Sequence, residues 1–219
     1  MRRSLLIVLL CVYLVSPAHS QLRFGGGVQG GLAFASFVPA LKDFYGSGFG
    51  FGAHADLGLA SFLTLRLNGD WHTFPSDKTK LARAFAAEFT VGGAPADPNL
   101  TSFSGWNINI ISVTANAIGK LSTESAVVPY GMAGLGIVAL SASDPSLAYQ
   151  GIGDITATLT QQGVVGKLDS ETAFTTNFGL GLEFPLGAVR PFIEARYVLF
   201  FPKGGSNSAF MPVTVGVTF

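Results

Sequence analysis

The feature that most constrains the fold of this chain is a two-residue alternation of side-chain character. Between positions 63 and 72 the odd residues are apolar or glycine and the even residues are polar. Because successive side chains of a β-strand point to opposite faces, this pattern predicts a strand with one apolar and one polar face. Similar alternation predicts eight strands, at 24–34, 48–57, 63–73, 106–120, 127–140, 173–184, 189–200 and 210–219.

The composition indicates where these strands lie. Hydrophobic residues make up 48% of the chain and charged residues 12%, and the mean hydropathy is +0.45. Beyond the N-terminus there is no apolar run of about 18–20 residues, the length that a membrane-spanning helix needs. The apolar residues are instead spread over many short segments, as in a barrel that crosses a membrane. About ten residues at about 3.3 Å each, tilted about 40°, also match the roughly 25 Å apolar band of such a barrel.

The connections between the segments alternate in length. Short ones span 58–62, 121–126 and 185–188, and longer ones span 35–47, 74–105, 141–172 and 201–209. This alternation is typical of an up-and-down transmembrane barrel with turns at one end and loops at the other. We therefore predict an all-β fold, an eight-stranded antiparallel transmembrane barrel with both termini on the side of the short turns.

The N-terminus has the pattern of a secretory signal peptide over residues 1–20. Arg2 and Arg3 precede an apolar stretch, and Ala18-His19-Ser20 offers a small residue at each end of a cleavage site. The barrel domain is then predicted to span 21–219. Cleavage leaves 11 Lys and Arg against 13 Asp and Glu, a net charge of −2, which excludes a basic nucleic-acid-binding surface. It also removes Cys11, the single cysteine.

The last segment carries Met, Val, Val, Val and Phe on alternate positions from Met211 to Phe219. We predict that it pairs with the first segment and closes the barrel, since closure removes both exposed edges. Small residues on both strands suggest that this seam is the least filled part of the lumen. Pro212, which cannot donate to the ladder, is expected to mark the end near the loops, where pairing loosens.

Two other regions depart from simple alternation. In 106–120 the polar positions change phase, which predicts a β-bulge near Ile110–Ile111 or a strand that begins only at Ile111. In the longest loops, 78–89 has helical spacing with Ser76 or Asp77 as its cap, and 92–101 is predicted to be turn-rich coil. The runs 155–160 and 164–168 are strand-like and are expected to extend the fifth and sixth strands.

Aromatic residues occur near the predicted strand ends. This placement predicts an aromatic girdle at each membrane interface. The expected loop-side members are Trp71, Phe74, Phe103, Trp106, Phe200 and Phe201, and the expected turn-side members are Phe24, Phe62, Phe184 and Phe219.

Three runs carry a resemblance to a known family: the residues 129–136, 177–183 and 190–197, together with the terminal Phe219. They resemble the small outer-membrane β-barrel family, the eight-stranded barrels of the OmpA/OmpX type and the "porin family" barrel domains. The resemblance implies a bacterial outer-membrane location with long loops extracellular and both termini periplasmic. It also implies contact with outer-membrane lipid and recognition of the last strand, with Phe219 as assembly signal, by the barrel-assembly machinery.

The polar face of the predicted strands supplies the candidate functional residues. Counting back from the turns predicts that His54 faces Arg66, that Asp56 faces Thr64 and that Glu183 faces Arg190. An eight-stranded barrel is just wide enough for its interior to be filled by side chains. The inward set is His54, Asp56, Arg66, Asn68, Asp70, His72, Asn116, Asn177, Glu183, Arg190, Glu194 and Arg196.

Family resemblance does not select a function, because these barrels include anchors, adhesins, small channels and a few lipid-modifying enzymes. One hypothesis is a structural or surface-interaction protein whose lumen is plugged by charge pairs and whose loops bind an extracellular ligand. The alternative is a narrow channel for ions or small solutes, gated by Arg66, Glu194 and Arg196. A soluble carrier barrel with apolar residues inside is the rival fold.

An enzyme is disfavoured by the histidines. His54 and His72 lie on the inward phase, and the apolar face shows no Ser–His pair at two-residue spacing. With these two histidines and no cysteine in the chain after residue 20, no metal site or cofactor is predicted.

Overall fold

The computed structural model describes residues 22–36, 43–88, 90–91, 93–121, 125–163, 166, 169–203 and 207–219. The predicted signal peptide lies outside these residues. The elements in chain order are β1 (Arg23–Ser36), β2 (Gly48–Ala60), β3 (Leu63–Phe74), α1 (Lys78–Ala86), β4 (Thr90–Val91), β5 (Ala94–Pro95), β6 (Thr101–Ser104), β7 (Ile108–Lys120), β8 (Val128–Ala142), β9 (Ser146–Tyr149), β10 (Gly153–Asp154), α2 (Thr156–Gln161), β11 (Glu171–Glu183), β12 (Arg190–Phe201) and β13 (Ser208–Thr218).

Eight of these strands close into an antiparallel barrel in the order β1-β13-β12-β11-β8-β7-β3-β2, which confirms the predicted fold. The seam joins the first strand to the last, with Gly27 opposite Thr218 and Ser36 opposite Ala209. Beyond β13, Gly26 and Phe219 exchange two backbone hydrogen bonds of 3.1 and 2.9 Å. The ladder between β12 and β13 is interrupted where Pro212 lies and then resumes from Val198 opposite Phe210.

The barrel has its polar side chains inside and its apolar side chains outside. On β3, Arg66 is 4% exposed, whereas its neighbour Leu67 is 55% exposed. A soluble carrier would show the reverse, so that alternative is wrong. In the described part of the chain, no helix is long and apolar enough to span a membrane.

Strand β7 contradicts the predicted bulge. Its pairing with β3 and with β8 is continuous from Ile108 to Lys120. Ile110 points inward and is fully buried, and Ile111 points outward and is 56% exposed. The phase change in the sequence therefore reflects a change in the polarity of the lumen, not a change in register.

The described barrel strands contain a register shift elsewhere, between Gly58 and Ala60 at the β2–β3 turn. Ala60 pairs with Leu63, but Leu57 then pairs with Leu65. The predicted pairing of Leu57 with Leu63 was therefore wrong by two residues, because the turn holds an unpaired residue. Asp56 consequently faces Arg66, and His54 faces Asn68.

The long loops form a small folded unit above the barrel, which we call the cap: the described residues of 75–107 and 143–166. Helix α1 is present as predicted, with Asp77 as its cap through a 3.0 Å bond from the Lys80 backbone N–H. The four-residue strands β6 and β9 pair with each other across the two loops, and β10 adds to β9. β4 and β5 form a short hairpin in the segment predicted to be coil.

The second long loop differs from its prediction. Residues 156–161 form helix α2, not a strand, because the neighbouring β9 is already paired on both sides. The run 164–168 lies outside the described residues except for Gly166. The expected extension of the barrel strands by 155–160 is therefore wrong, and this part of the loop belongs to the cap.

The aromatic girdles are only partly as predicted. Phe74, Phe200 and Phe103 are 0%, 2% and 5% exposed, so they face the interior of the barrel or the cap. The first two lie on the inward phase of their strands, where strand-end position alone misled the prediction. Outward aromatic residues on the loop side are Phe34, Phe49, Phe51, Trp71, Phe174 and Phe201, and on the turn side Phe24, Phe62 and Phe219 are well exposed.

Candidate functional site

The lumen holds a set of buried charges that we call the charged lumen network: Asp56, Arg66, Asp70, Glu194 and Arg196. Arg66 and Asp56 lie opposite each other on β3 and β2 and form a bidentate pair, with Nε–Oδ1 2.7 Å and Nη2–Oδ2 2.8 Å. Both side chains are more than nine-tenths buried. Such fork geometry is among the strongest charge-assisted pairings available to a protein.

The network crosses the lumen through β12. Arg66 Nη1 lies 3.7 Å from Glu194 Oε2, which links β3 to β12. Arg196 Nε lies 3.0 Å from Glu194 Oε1, and Arg196 Nη1 donates to Asp70 Oδ2 at 3.0 Å. Alternating signs on successive members offset the cost of burying each charge. The residues predicted as a gate, Arg66, Glu194 and Arg196, are therefore brought together.

Neutral side chains complete this network, and sequence reasoning missed them. Tyr130 Oη donates to Glu194 Oε2 at 2.9 Å, and the Gln29 amide donates to Asp70 Oδ1. Asn116 donates to Asn68 at 3.0 Å beside it. A signal for Tyr130 existed, since it has the same phase on β8 as the inward-facing Gly134 and Gly136.

A second charge cluster lies toward the short turns. Lys120 Nζ donates to both carboxylate oxygens of Glu183, each at 2.9 Å. Arg190 is farther from Glu183, at 3.8 Å, and its side chain is 34% exposed. The predicted Glu183–Arg190 contact is thus present, although Glu183 lies opposite Phe192 in the ladder and Lys120 is its closer partner.

The two histidines occupy different surroundings from those expected. His54 Nε2 lies 3.0 Å from Thr218 Oγ1 and 3.9 Å from Asp56 Oδ2. A Cβ on Gly27 would collide with the His54 ring, and one on Gly216 would collide with the Phe192 ring. The seam between β1 and β13 is therefore filled by side chains of β2 and β12. The expectation that it is the least filled part of the lumen is wrong.

Above the charged network the lumen becomes apolar. Nine buried residues form one cluster, which we call the apolar lumen layer. Phe210 lies at its centre, with ring centroids 5.7 Å from Phe74 and 6.4 Å from Phe200. His72 marks the border, with its ring 5.0 Å from Phe210. The members are Ala33, Tyr45, Phe74, Ile110, Val138, Ala173, Val198, Phe200 and Phe210.

Some buried polar atoms between the two regions have no hydrogen-bond partner. They include both side-chain amide atoms of Asn177 and Nη2 of Arg196. Buried groups of this kind are costly unless water reaches them. Among the described residues, no group of three or more His, Cys, Asp or Glu is arranged to hold a metal ion.

Comparison with known proteins decides the family. The profile described as "Outer membrane protein beta-barrel domain" matches residues 4–211, nearly the whole chain. The chain belongs to this family. Members of this outer-membrane barrel family cross the membrane with strands, which agrees with the apolar outer wall. A search of curated proteins found no match.

Solved structures show the same fold. Neisserial surface protein A (NspA) is 18% identical, with 89% of this chain and 95% of that chain covered and a TM-score of 0.51. OprG from Pseudomonas aeruginosa is 14% identical, with 90% and 97% covered and a TM-score of 0.48. Ail, the attachment invasion locus protein of Yersinia pestis, is 14% identical, with 89% and 98% covered and a TM-score of 0.44.

Proposed function

We propose that this outer-membrane barrel is a non-conducting structural and surface-interaction protein that holds a folded cap above a sealed lumen. The observation that carries the proposal is the apolar lumen layer. Phe74, Ile110 and Phe210 are each 0% exposed, and the layer spans the barrel from β1 to β13. An ion that entered from the short-turn side would meet first a field of paired charges and then a region without polar partners.

The cap supports the surface role. Its helix α1 buries Leu81 and Phe85 against Phe103 and Leu147, so the long loops have a core of their own. Rigid scaffolds of this kind commonly present their binding residues on loops. In our proposal the cap is extracellular, the short turns and termini are periplasmic, and the outer wall contacts outer-membrane lipid. The last strand with Phe219 is the segment offered to the barrel-assembly machinery.

Single-channel recording of the refolded barrel in planar bilayers tests the seal. We expect closed traces for the wild type and for Arg66→Ala, because the apolar lumen layer remains. Phe74→Ala with Phe210→Ala alone should also stay closed, because the charged network remains. Combining all three substitutions should allow ion passage. Heat-modifiable migration on gels checks that each variant is folded, and steady conductance by the wild type would contradict the proposal.

The narrow channel is the second candidate, and the unpartnered atoms of Asn177 and Arg196 are the observation in its favour. Water at these atoms would continue the polar part of the lumen toward His72. In this case Arg66, Glu194 and Arg196 act as the gate, and the wild type conducts. Arg66→Ala should then change the single-channel conductance, which the sealed barrel does not allow.

We further propose that the protein has no catalytic role and needs no cofactor. His54 and His72 are 6% and 3% exposed inside the lumen, so neither ring contacts lipid at the outer wall. Incubation with lipopolysaccharide followed by mass analysis should leave the acyl chains unchanged. Loss or transfer of an acyl chain would support an enzyme instead.

A further inference from the structure

The tip of the cap, residues 97–100 and 150–154, exposes large apolar side chains. Strands β6 and β9 run side by side from the barrel, so the turns at their far ends lie at the greatest distance from it along these strands. Leu100 is 37% exposed and Ile152 is 59% exposed. Apolar side chains of this size on neighbouring exposed turns are typical of an interaction surface.

These turns are held in place by hydrogen bonds. The Gln150 backbone N–H donates to the Leu100 carbonyl at 2.8 Å, which joins the two turns. Ile152 N–H donates to the Tyr149 carbonyl at 3.0 Å. Beneath them Tyr149 packs with Ala86 and Ala96 in a small core of the cap. A partner therefore meets a preformed surface, which lowers the conformational entropy lost on binding.

The charges around the tip have one sign. Asp97 and Asp154 are exposed there, and each accepts a backbone hydrogen bond of 2.8 Å, from Asn99 and Thr156 respectively. The bonds from Thr156 hold the pKa of Asp154 below its usual value of 3.8, so its carboxylate stays charged at neutral pH.

The charge of the cap is distributed unevenly along the chain. Between Arg83 and Lys120, and between Lys120 and Lys167, the sequence contains no Lys or Arg. The same stretches contribute the exposed carboxylates Glu88, Asp97, Asp144 and Asp154 to the cap. The basic residues of the described cap are confined to α1, at Lys78, Lys80 and Arg83. A basic partner is thus attracted to the tip and repelled by α1.

We propose that the tip of the cap binds a cationic amphipathic peptide segment, with Leu100 and Ile152 contacting its apolar residues and Asp97 and Asp154 pairing with its Lys or Arg. This inference rests on the proposed surface-interaction function and specifies its partner. Apolar contacts supply most of the affinity in such a complex, and the rim carboxylates set the sign of charge that is accepted.

The test uses the full barrel, without its signal peptide, in nanodiscs of zwitterionic lipid, whose neutral surface does not attract the probe. The probe is a fluorescently labelled amphipathic peptide built from lysine and leucine, with a glutamate–leucine peptide as its counterpart. Fluorescence anisotropy should show binding of the lysine peptide only, and binding should weaken at roughly 0.5 M salt, because salt screens exposed charges.

Two double variants locate the surface. Asp97→Asn with Asp154→Asn keeps the oxygen that accepts the turn hydrogen bond and removes the charge, so we expect about a tenfold rise in Kd. Leu100→Ser with Ile152→Ser should raise Kd by about tenfold or more. The matched control, Asp169→Asn with Glu171→Gln, removes two carboxylates outside the tip and should change Kd by less than about twofold.

The outcomes separate this inference from the proposed function. Equal affinity for both peptides, or unchanged binding by both tip variants, overturns the inference. If the bilayer traces are also closed, the sealed barrel stands with a different partner. If the wild type conducts, the proposed function fails whatever the peptide does. Unchanged gel migration and circular dichroism confirm that each variant is folded.

Discussion

The two halves of the lumen solve the same packing problem with different chemistry. Toward the short turns, strands of one barrel are joined by paired charges such as Arg66 and Asp56, 2.7 Å apart. Toward the cap, the same strands are joined by apolar side chains such as Ile110 and Phe210, both 0% exposed. The backbone ladder of β7 continues through both regions without a shift.

This difference teaches that polarity and register are independent in a small barrel. The inward phase of a strand is fixed by the pleat, but what fills it depends on depth. A charge in the lumen needs a partner on another strand, whereas an apolar residue needs only contact. The charged half is therefore expected to be more sensitive to the loss of one member than the apolar half.

The largest expected effect is from Arg196→Leu, which leaves Asp70 and Glu194 buried without their 3.0 Å partners. We expect a loss of about 3–5 kcal/mol in the free energy of unfolding. Urea unfolding of the barrel in lipid vesicles, followed by tryptophan fluorescence, measures it. The control is Arg190→Leu at the half-exposed edge, which should cost less than about 1 kcal/mol. Equal losses would remove the distinction between network and edge.

Ile110→Ala tests the apolar half and should cost about 3 kcal/mol, because it leaves a cavity beside Phe74 and Phe210. The neighbouring substitution Ile111→Ala removes the same atoms from a side chain that is 56% exposed on the outer wall. It should cost about 1 kcal/mol or less, the difference in membrane transfer between the two residues. The same unfolding assay applies, and the reverse order would restore the predicted bulge.

The smallest expected effect is in the cap, where Asp77 begins α1. The backbone hydrogen bond from Lys80 lowers the pKa of Asp77 below its ordinary value of 3.8. The stabilisation is therefore present above the unfolded-state pKa and is lost as pH falls through the lower folded value. Asp77→Ala should speed amide exchange of Leu81 at pH 7, more than Asp77→Asn does, and the lumen should be unaffected. A difference that persists unchanged in acid would argue against a charged cap.

The fold was predictable because period-two alternation reports the pleat directly. Arg66 and Leu67 differ in exposure as their phase requires, and seven other segments behave similarly. The strand pairing was harder, since a single unpaired residue near Gly58 moved Asp56 from Thr64 to Arg66. Turn geometry of this kind is not encoded in hydrophobic spacing.

The cap and the apolar lumen layer depend on contacts between distant segments. Phe103 lies opposite Leu147 only because two long loops pair, and nothing in either loop names its partner. Phe74 and Phe200 looked like interface aromatics because they end their strands. Their depth in the lumen follows from the layer that Phe210 completes on β13. Sequence patterns thus predicted which face each strand presents, but not how the lumen changes along its axis.

The mutual hydrogen bonds of Gly26 and Phe219 have a kinetic consequence. They belong to the seam that joins opposite ends of the chain, so the barrel cannot close until every other strand has been made. Such distant pairing slows folding, since most loop entropy is lost before these contacts form. Until then β1 and β12 each keep an open edge that another chain can pair with. The seam therefore sets the interval during which the nascent protein needs protection from its own copies.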